Sequence, residues 1–251
     1  LIISNSAATT LAIEQVYGIN PAEVNIGAAP YGMVPAAEVL VEPLPEDNVE
    51  EPTVLFVGRL EKRNGILDLF EARPAVLAEH PRTKFVIAGS DNSREDGFFA
   101  EHRSDYPSYF RSRHPEAMPS VEFMGFVDES TLEALYRGCD LFVAPSLYES
   151  FGLIFLEAMN WARPVIGCAA GGPEEIIVDG ETGLLVPPEN AKRLAAAIIE
   201  LLASPGRRRE MGLAGRARLI EEYSHLAMAL GFERLYRPLV DRRVAGAGDS
   251  G

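Results

Sequence analysis

Three short stretches carry most of the side chains able to do chemistry. In the first, Gly58-Arg59-Leu60-Glu61-Lys62-Arg63-Asn64-Gly65, three cations share one turn bounded by glycines. Arg59, Lys62 and Arg63 form a cluster that can meet a diphosphate, the guanidinium groups through forked charge-assisted hydrogen bonds. The turn contains neither G-x-G-x-x-G nor the Walker lysine pattern, which sets aside an ordinary dinucleotide fingerprint and a P-loop. In the second stretch, Glu149-Ser150-Phe151-Gly152-Leu153-Ile154-Phe155-Leu156-Glu157, a turn runs into an apolar helix. Gly152 and Leu153 stand where the helix start offers free backbone N–H groups and the positive end of its dipole to an anion. Glu149 precedes that helix and Glu157 lies inside it. Eight positions span at most about 12 Å along a continuous helix, which suits two carboxylates gripping hydroxyl groups at opposite ends of a diphosphate-linked molecule. Glu157 sits in an apolar run, where a carboxylate costs free energy unless donors satisfy it. The third stretch, Ala169-Ala170-Gly171-Gly172-Pro173-Glu174-Glu175, permits close backbone approach to a ligand or a neighbouring loop.

The elements that must position these loops are legible from apolar periodicity. Strands are predicted at residues 53–57, 84–88, 121–124, 140–144, 164–167 and 184–186. Most are continuous apolar runs, such as Val54-Leu55-Phe56-Val57 and Leu141-Phe142-Val143-Ala144, as strands covered on both faces require. Helices are predicted at 65–79, kinked by Pro74, and at 129–137, 152–162, 190–203, 206–222 and 225–240. The alternation implies an α/β fold with a doubly wound parallel sheet. In such a sheet ligands collect at the carboxyl ends of the strands, where all three stretches fall.

Four segments are expected along the chain: residues 1–37, 38–52, 53–240 and 241–251. The first begins with a short strand and a helix to about Tyr17, followed by a strand at 24–26. Residues 38–51 hold six acids and no base and read as a solvated linker. Residues 91–119 read as a partly helical surface insertion, and 241–251 as a disordered tail.

The 251 residues carry a net charge of -14, which disfavours nucleic acid as a partner. Residues 205–251 reverse the bias, with nine bases against six acids. Cys139 and Cys168 lie in apolar runs and read as buried reduced thiols of a cytoplasmic protein. No stretch approaches the roughly 20 apolar residues that cross a bilayer.

With these loops in order, the chain resembles the carboxyl-terminal half of a GT-B glycosyltransferase of the family 4 type, the retaining nucleotide-sugar enzymes. The resemblance covers residues 54–240. It is strongest from Asp140 to Pro187, through Glu149-x7-Glu157, Arg163-Pro164-Val165-Ile166, Gly171-Gly172-Pro173-Glu174-Glu175-Ile176-Ile177 and Asp179-Gly180-Glu181-Thr182-Gly183-Leu184-Leu185-Val186. It implies that one Rossmann-like half of a GT-B fold binds a UDP-, GDP- or ADP-linked sugar and passes its hexose to an acceptor that the sequence does not identify.

Residue by residue, the resemblance implies that Gly58, Arg59, Arg63 and Asn64 form the diphosphate turn, with Arg59 contacting the phosphates. Phe126 and Val127 would lie beside the base, and Glu149 would hold sugar hydroxyls. Phe151, Gly152 and Leu153 would offer backbone groups, and Glu157 would grip the ribose. Arg59 and Glu149 are the expected catalytic positions. No metal and no cofactor beyond the donor are implied.

The family usually places a lysine immediately before the glycine of the turn, where this chain has Asn64. Losing one such cation weakens stabilisation of the leaving diphosphate, an effect of about 10² to 10³ in rate, with Lys62 or Arg63 as substitutes. Residues 1–37 resemble the border of an acceptor-binding amino-terminal domain, whose remainder could also make peripheral membrane contact. Two further readings stay open: a non-catalytic nucleotide-sugar binding module, and a GT-B sugar epimerase.

Overall fold

The computed structural model describes residues 1–20, 23–37 and 51–247. The chain opens with β1 (Ile2–Ser4), α1 (Ala7–Tyr17) and β2 (Ile26–Ala28), and β1 pairs with β2 in a small parallel sheet. The main unit follows as β3 (Thr53–Val57), α2 (Ile66–Glu79), β4 (Lys84–Ala88), α3 (Phe98–His102), α4 (Tyr106–Arg113), β5 (Val121–Gly125) and α5 (Glu129–Gly138). It continues with β6 (Leu141–Ala144), α6 (Leu153–Asn160), β7 (Val165–Cys168), α7 (Pro173–Ile176), β8 (Gly183–Val186), α8 (Ala191–Leu202), α9 (Pro205–Glu222) and α10 (His225–Ala247).

Six parallel strands form one sheet in the order β5-β4-β3-β6-β7-β8. This is the doubly wound α/β arrangement, with the strand order reversing between β3 and β6. The cause is visible within single strands. Val54 and Phe56 join the core against α2 and α8, whereas Leu55, between them, joins the core against α5, α6 and α9. Alternate side chains point to opposite faces and both faces are covered, so the strand sequence must be apolar throughout. Each fully buried Val, Leu or Phe contributes about 1.5–3 kcal/mol.

Three expectations change. Residues 91–119 are partly helical as expected, forming α3, α4 and a 3₁₀ segment, Pro115–Ser120, but they are not confined to the surface. Phe98, Tyr106 and Phe110 are fully buried in the core, which tied the segment down despite its many charges. α10 continues through Ala247 rather than ending at 240, because Arg242-Arg243-Val244-Ala245 contains no helix breaker. The rest of the expected tail, 248–251, lies outside the described residues, as do residues 38–50 of the expected linker. α2 continues through Pro74 as one helix, as predicted for 65–79. The early strand lies at Ile26–Ala28, two residues beyond its predicted position.

The described residues of 1–37 pack directly on the main unit. Buried Arg216 of α9 donates to the carbonyl oxygens of Asn160 and Ala36, and the Ala36 N–H donates to Asn160 Oδ1 at 2.8 Å. The Glu175 carboxylate accepts from the N–H groups of Ala7 and Ala8 at 2.9 and 3.1 Å, capping the start of α1. Among the described residues no helix is long and apolar enough to cross a membrane.

Candidate donor-binding site

The three loops converge at the carboxyl edge of the sheet, two of them on either side of the β3/β6 switch point. After β3, buried Leu60 is held by backbone bonds to the loop after β4: its N–H donates to Ser90 O at 2.9 Å, and Asn92 N–H donates to Leu60 O at 3.0 Å. A single 3₁₀ turn, Lys62–Asn64, then ends at Gly65, whose φ of 72° starts α2. A Cβ on Gly65 would sit 1.9 Å from Pro145 O, so only glycine lets this turn approach the loop after β6.

That loop is joined to the turn by Leu147 N–H donating to Arg63 O at 2.8 Å. It is joined to the third loop through Glu149, whose N–H donates to Ala170 O at 3.2 Å and whose carbonyl accepts from Gly172 N–H at 2.7 Å. Gly152, with φ 103°, then turns the chain into α6, which has no side chain capping its first turn. Leucine, alanine, glutamate and methionine favour the helix. Phe155, Leu156, Ala158 and Met159 are buried and anchor it; Phe155 N–H donates to Gly152 O at 3.0 Å, and the two N–H groups before it, of Leu153 and Ile154, have no side-chain cap.

The arginines of the first turn stand in solvent, Arg59 at 60% and Arg63 at 53% side-chain exposure. Asn64 Nδ2 donates to Arg59 O at 2.9 Å. Lys62 is drawn away from the turn: its ammonium pairs with Glu101 at 2.6 Å and its N–H donates to Asp96 at 2.8 Å. The Glu101 partner also raises the lysine pKa. Of the two expected substitutes for a missing lysine, Lys62 is therefore committed elsewhere.

Glu149 is half-buried beside the α6 start. Glu157 is half-buried one to two turns inside α6, and Oε2 accepts from the Tyr136 hydroxyl at 2.7 Å. Burial, then the charge and hydrogen bond of Glu157, hold the phenol well above its ordinary pKa, so it remains a donor. Phe151 is buried, its ring edge-to-face with Tyr31 at 5.4 Å between centroids, and Leu153 is exposed. Asn5 and Tyr31 line a shallow hollow with residues 149–154. Phe126 stands 83% exposed after β5, and Val127 beside it is half-buried. Neither is enclosed with the other residues, although both lie at the carboxyl edge of the sheet.

Sequence reasoning missed Glu61, Asn92 and Tyr136, and read Tyr31 only as part of the border of the amino-terminal segment. An acid among three bases was a usable signal for Glu61. The others are brought in by distant elements and had no local signal. Burial pushes both cysteine thiols up to about 12, as expected of inert core positions. Among the described residues no group of three or more His, Cys, Asp or Glu could hold a metal ion.

The family model described as glycosyl transferases group 1 matches residues 44–218. The chain belongs to this glycosyltransferase family. An uncharacterized glycosyltransferase of Methanocaldococcus jannaschii is 36% identical over 175 residues, covering 70% of this chain and 42% of that protein. Glycogen synthase of Mycobacterium tuberculosis is 31% identical over 183 residues, covering 73% and 42%. Among solved structures, sucrose-phosphate synthase from Thermosynechococcus elongatus superposes with TM-score 0.74 at 33% identity, covering 96% of this chain and 58% of that one. Anabaena HepE, solved in complex with UDP and glucose, shares the fold with TM-score 0.74 at 20% identity, covering 96% and 63%. The chain spans about half the length of these relatives and has the Rossmann-like architecture of one half of a GT-B glycosyltransferase.

Proposed function

We propose that this chain is the donor-binding half of a retaining hexosyltransferase that uses a UDP-, GDP- or ADP-linked sugar. The observation that carries the reading is the hydrogen bond from Leu147 N–H to Arg63 O, which joins the cationic turn to the loop entering α6 at the switch point of the sheet. A diphosphate placed there meets guanidinium forks from one side and helix N–H groups from the other. Its charge grows as the sugar C1–O bond to phosphate breaks, and groups aimed at growing charge lower the barrier.

In this reading Arg59 binds the leaving diphosphate, with Gly58, Arg63 and Asn64 completing its turn. Phe151, Gly152 and Leu153 offer backbone groups, Glu149 orients the sugar hydroxyls, Glu157 holds the ribose, and Phe126 and Val127 lie beside the base. The acceptor oxygen bonds to C1 on the face the phosphate leaves, and the hydroxyl proton passes to the departing diphosphate. Glu149 acts by orientation and forms no covalent intermediate. The UDP of the HepE complex is the class of ligand this reading expects.

A thermal-shift panel of UDP, GDP, ADP and their sugar conjugates tests the proposal. A ligand at a hundred times its Kd stabilises the folded chain by about 2.7 kcal/mol. A raised Tm with nucleoside diphosphates of one base is expected, and no shift with any of them at millimolar concentration would refute the assignment. Asn64 favours a second reading, a module that binds the donor without turnover. Donor hydrolysis by the full-length protein separates the two.

A further inference from the structure

Glu61 is the sole acid in the turn of residues 58–65. Its side chain is only 7% exposed, in contrast with the arginines on either side of it. A carboxylate so enclosed must be satisfied by donors. Oε1 accepts from an Arg63 guanidinium nitrogen at 3.0 Å and lies 3.6 Å from the Arg59 guanidinium, so one oxygen serves both cations. Oε2 accepts from Asn92 Nδ2 at 2.6 Å.

The carboxylate cannot follow the arginines outward. Leu60, immediately before it, is bonded to Ser90 and Asn92, and the N–H of Lys62, immediately after it, is held by Asp96 at 2.8 Å. The fixed partner is therefore the acid, and the long exposed side chains are the parts it restrains.

We propose that Glu61 is a positioning residue for the diphosphate turn, holding Arg59 and Arg63 side by side so that both forks meet the same anion. The inference rests on the reading of this turn as a diphosphate site. Two guanidinium groups this close repel one another, and the shared carboxylate offsets that repulsion before a ligand arrives. Removing the acid also removes a repulsion on the incoming phosphate. That gain is outweighed by the freedom returned to two long, exposed side chains, which the ligand must then order itself.

The test is titration of this chain and its variants with UDP, GDP and ADP, and with the matching nucleosides lacking phosphate. Glu61→Gln is expected to raise the Kd of the preferred nucleoside diphosphate about tenfold and to leave nucleoside binding unchanged, a split that general loosening of the fold would not produce. In an Arg59→Ala background the same change is expected to cost at most about threefold, since the two residues act through one contact. Equal or tighter diphosphate binding by Glu61→Gln, an equal loss for the nucleoside, or full additivity with Arg59→Ala would each overturn the proposal.

Asn92→Ala keeps the carboxylate and frees one of its oxygens, so it provides the same test if Glu61→Gln does not fold. A loss of about threefold for the diphosphate alone is expected, and unchanged affinity overturns the proposal. If the unmodified chain binds no nucleoside diphosphate, the diphosphate reading fails and this inference with it. Binding that is indifferent to Glu61 sinks this inference alone.

Discussion

Tyr136 and Glu157 lie 21 positions apart, on α5 and α6, and share a hydrogen bond of 2.7 Å. The phenol is buried and stays protonated, so it is a permanent donor to the half-buried carboxylate. Glu157 thus stays in an otherwise apolar helix because the neighbouring helix satisfies it. The contact ties the α5–α6 packing to the side chain read as the ribose ligand.

Tyr136→Phe should therefore act in two ways. Losing a hydrogen bond to this half-buried carboxylate, with the buried Tyr136 site left unchanged in shape, costs about 1–3 kcal/mol, which denaturant unfolding would measure. Affinity for a nucleoside diphosphate should fall while that for inorganic pyrophosphate stays unchanged, because only the former carries a ribose. Equal losses for both ligands would remove Glu157 from the ribose role.

Two cations of the turn, Arg59 and Lys62, should respond unequally. Arg59→Ala is expected to weaken nucleoside diphosphate binding about tenfold, the low end for a charge-assisted contact because the side chain stands largely in solvent. Lys62→Ala should change affinity by less than about twofold, since its ammonium is engaged by Glu101. Calorimetric titration gives both numbers, and a Lys62 effect as large as that of Arg59 would contradict this assignment of the turn.

Gly65→Ala places a methyl where Pro145 O already stands, at a φ that L residues adopt with strain. The change should cost at least about 2 kcal/mol and lower Tm, because the turn and the loop after β6 must separate. Diphosphate affinity should fall with it, as the Leu147–Arg63 bond opens. Retained stability with retained binding would show that the two loops need not touch.

Asp96 predicts a pH dependence. Burial alone would raise its pKa, but hydrogen bonds from the Tyr106 hydroxyl and from the N–H groups of Phe98 and Lys62 outweigh burial and hold it below the ordinary 3.8. A carboxylate depressed in the folded state lends its full stability above the unfolded value and loses it as pH falls through the lower folded value. The Tm difference between the unmodified chain and Asp96→Asn should be constant from about pH 7 to 5 and shrink below about pH 4. A difference that persists undiminished to about pH 3 would exclude this carboxylate as the source.

The apolar runs Val54-Leu55-Phe56-Val57 and Leu141-Phe142-Val143-Ala144 made the parallel sheet legible, because a strand buried on both faces has no polar alternative. The loops at 58–65, 145–152 and 169–172 were legible as a group for a related reason. The ends of parallel strands are where backbone donors and charged side chains can face a ligand. The core role of Phe98, Tyr106 and Phe110 was not legible, since the charges around them are those of a surface segment and only the packing of Phe110 against Phe70 and Phe123, and of Phe98 on Tyr106, reveals the buried face.

The sequence by itself determined which side chains were available: the cations of one turn, two acids around one helix start, and the strands that bring them to one edge. Only the tertiary structure decided which of them are engaged and by what. Lys62 turns to Glu101, Glu61 sinks between two arginines, and Tyr136 reaches Glu157 from another helix. The physical reason is that secondary structure follows from local pattern, whereas the partner of a charged or polar group depends on distant residues that the fold brings within about 3 Å.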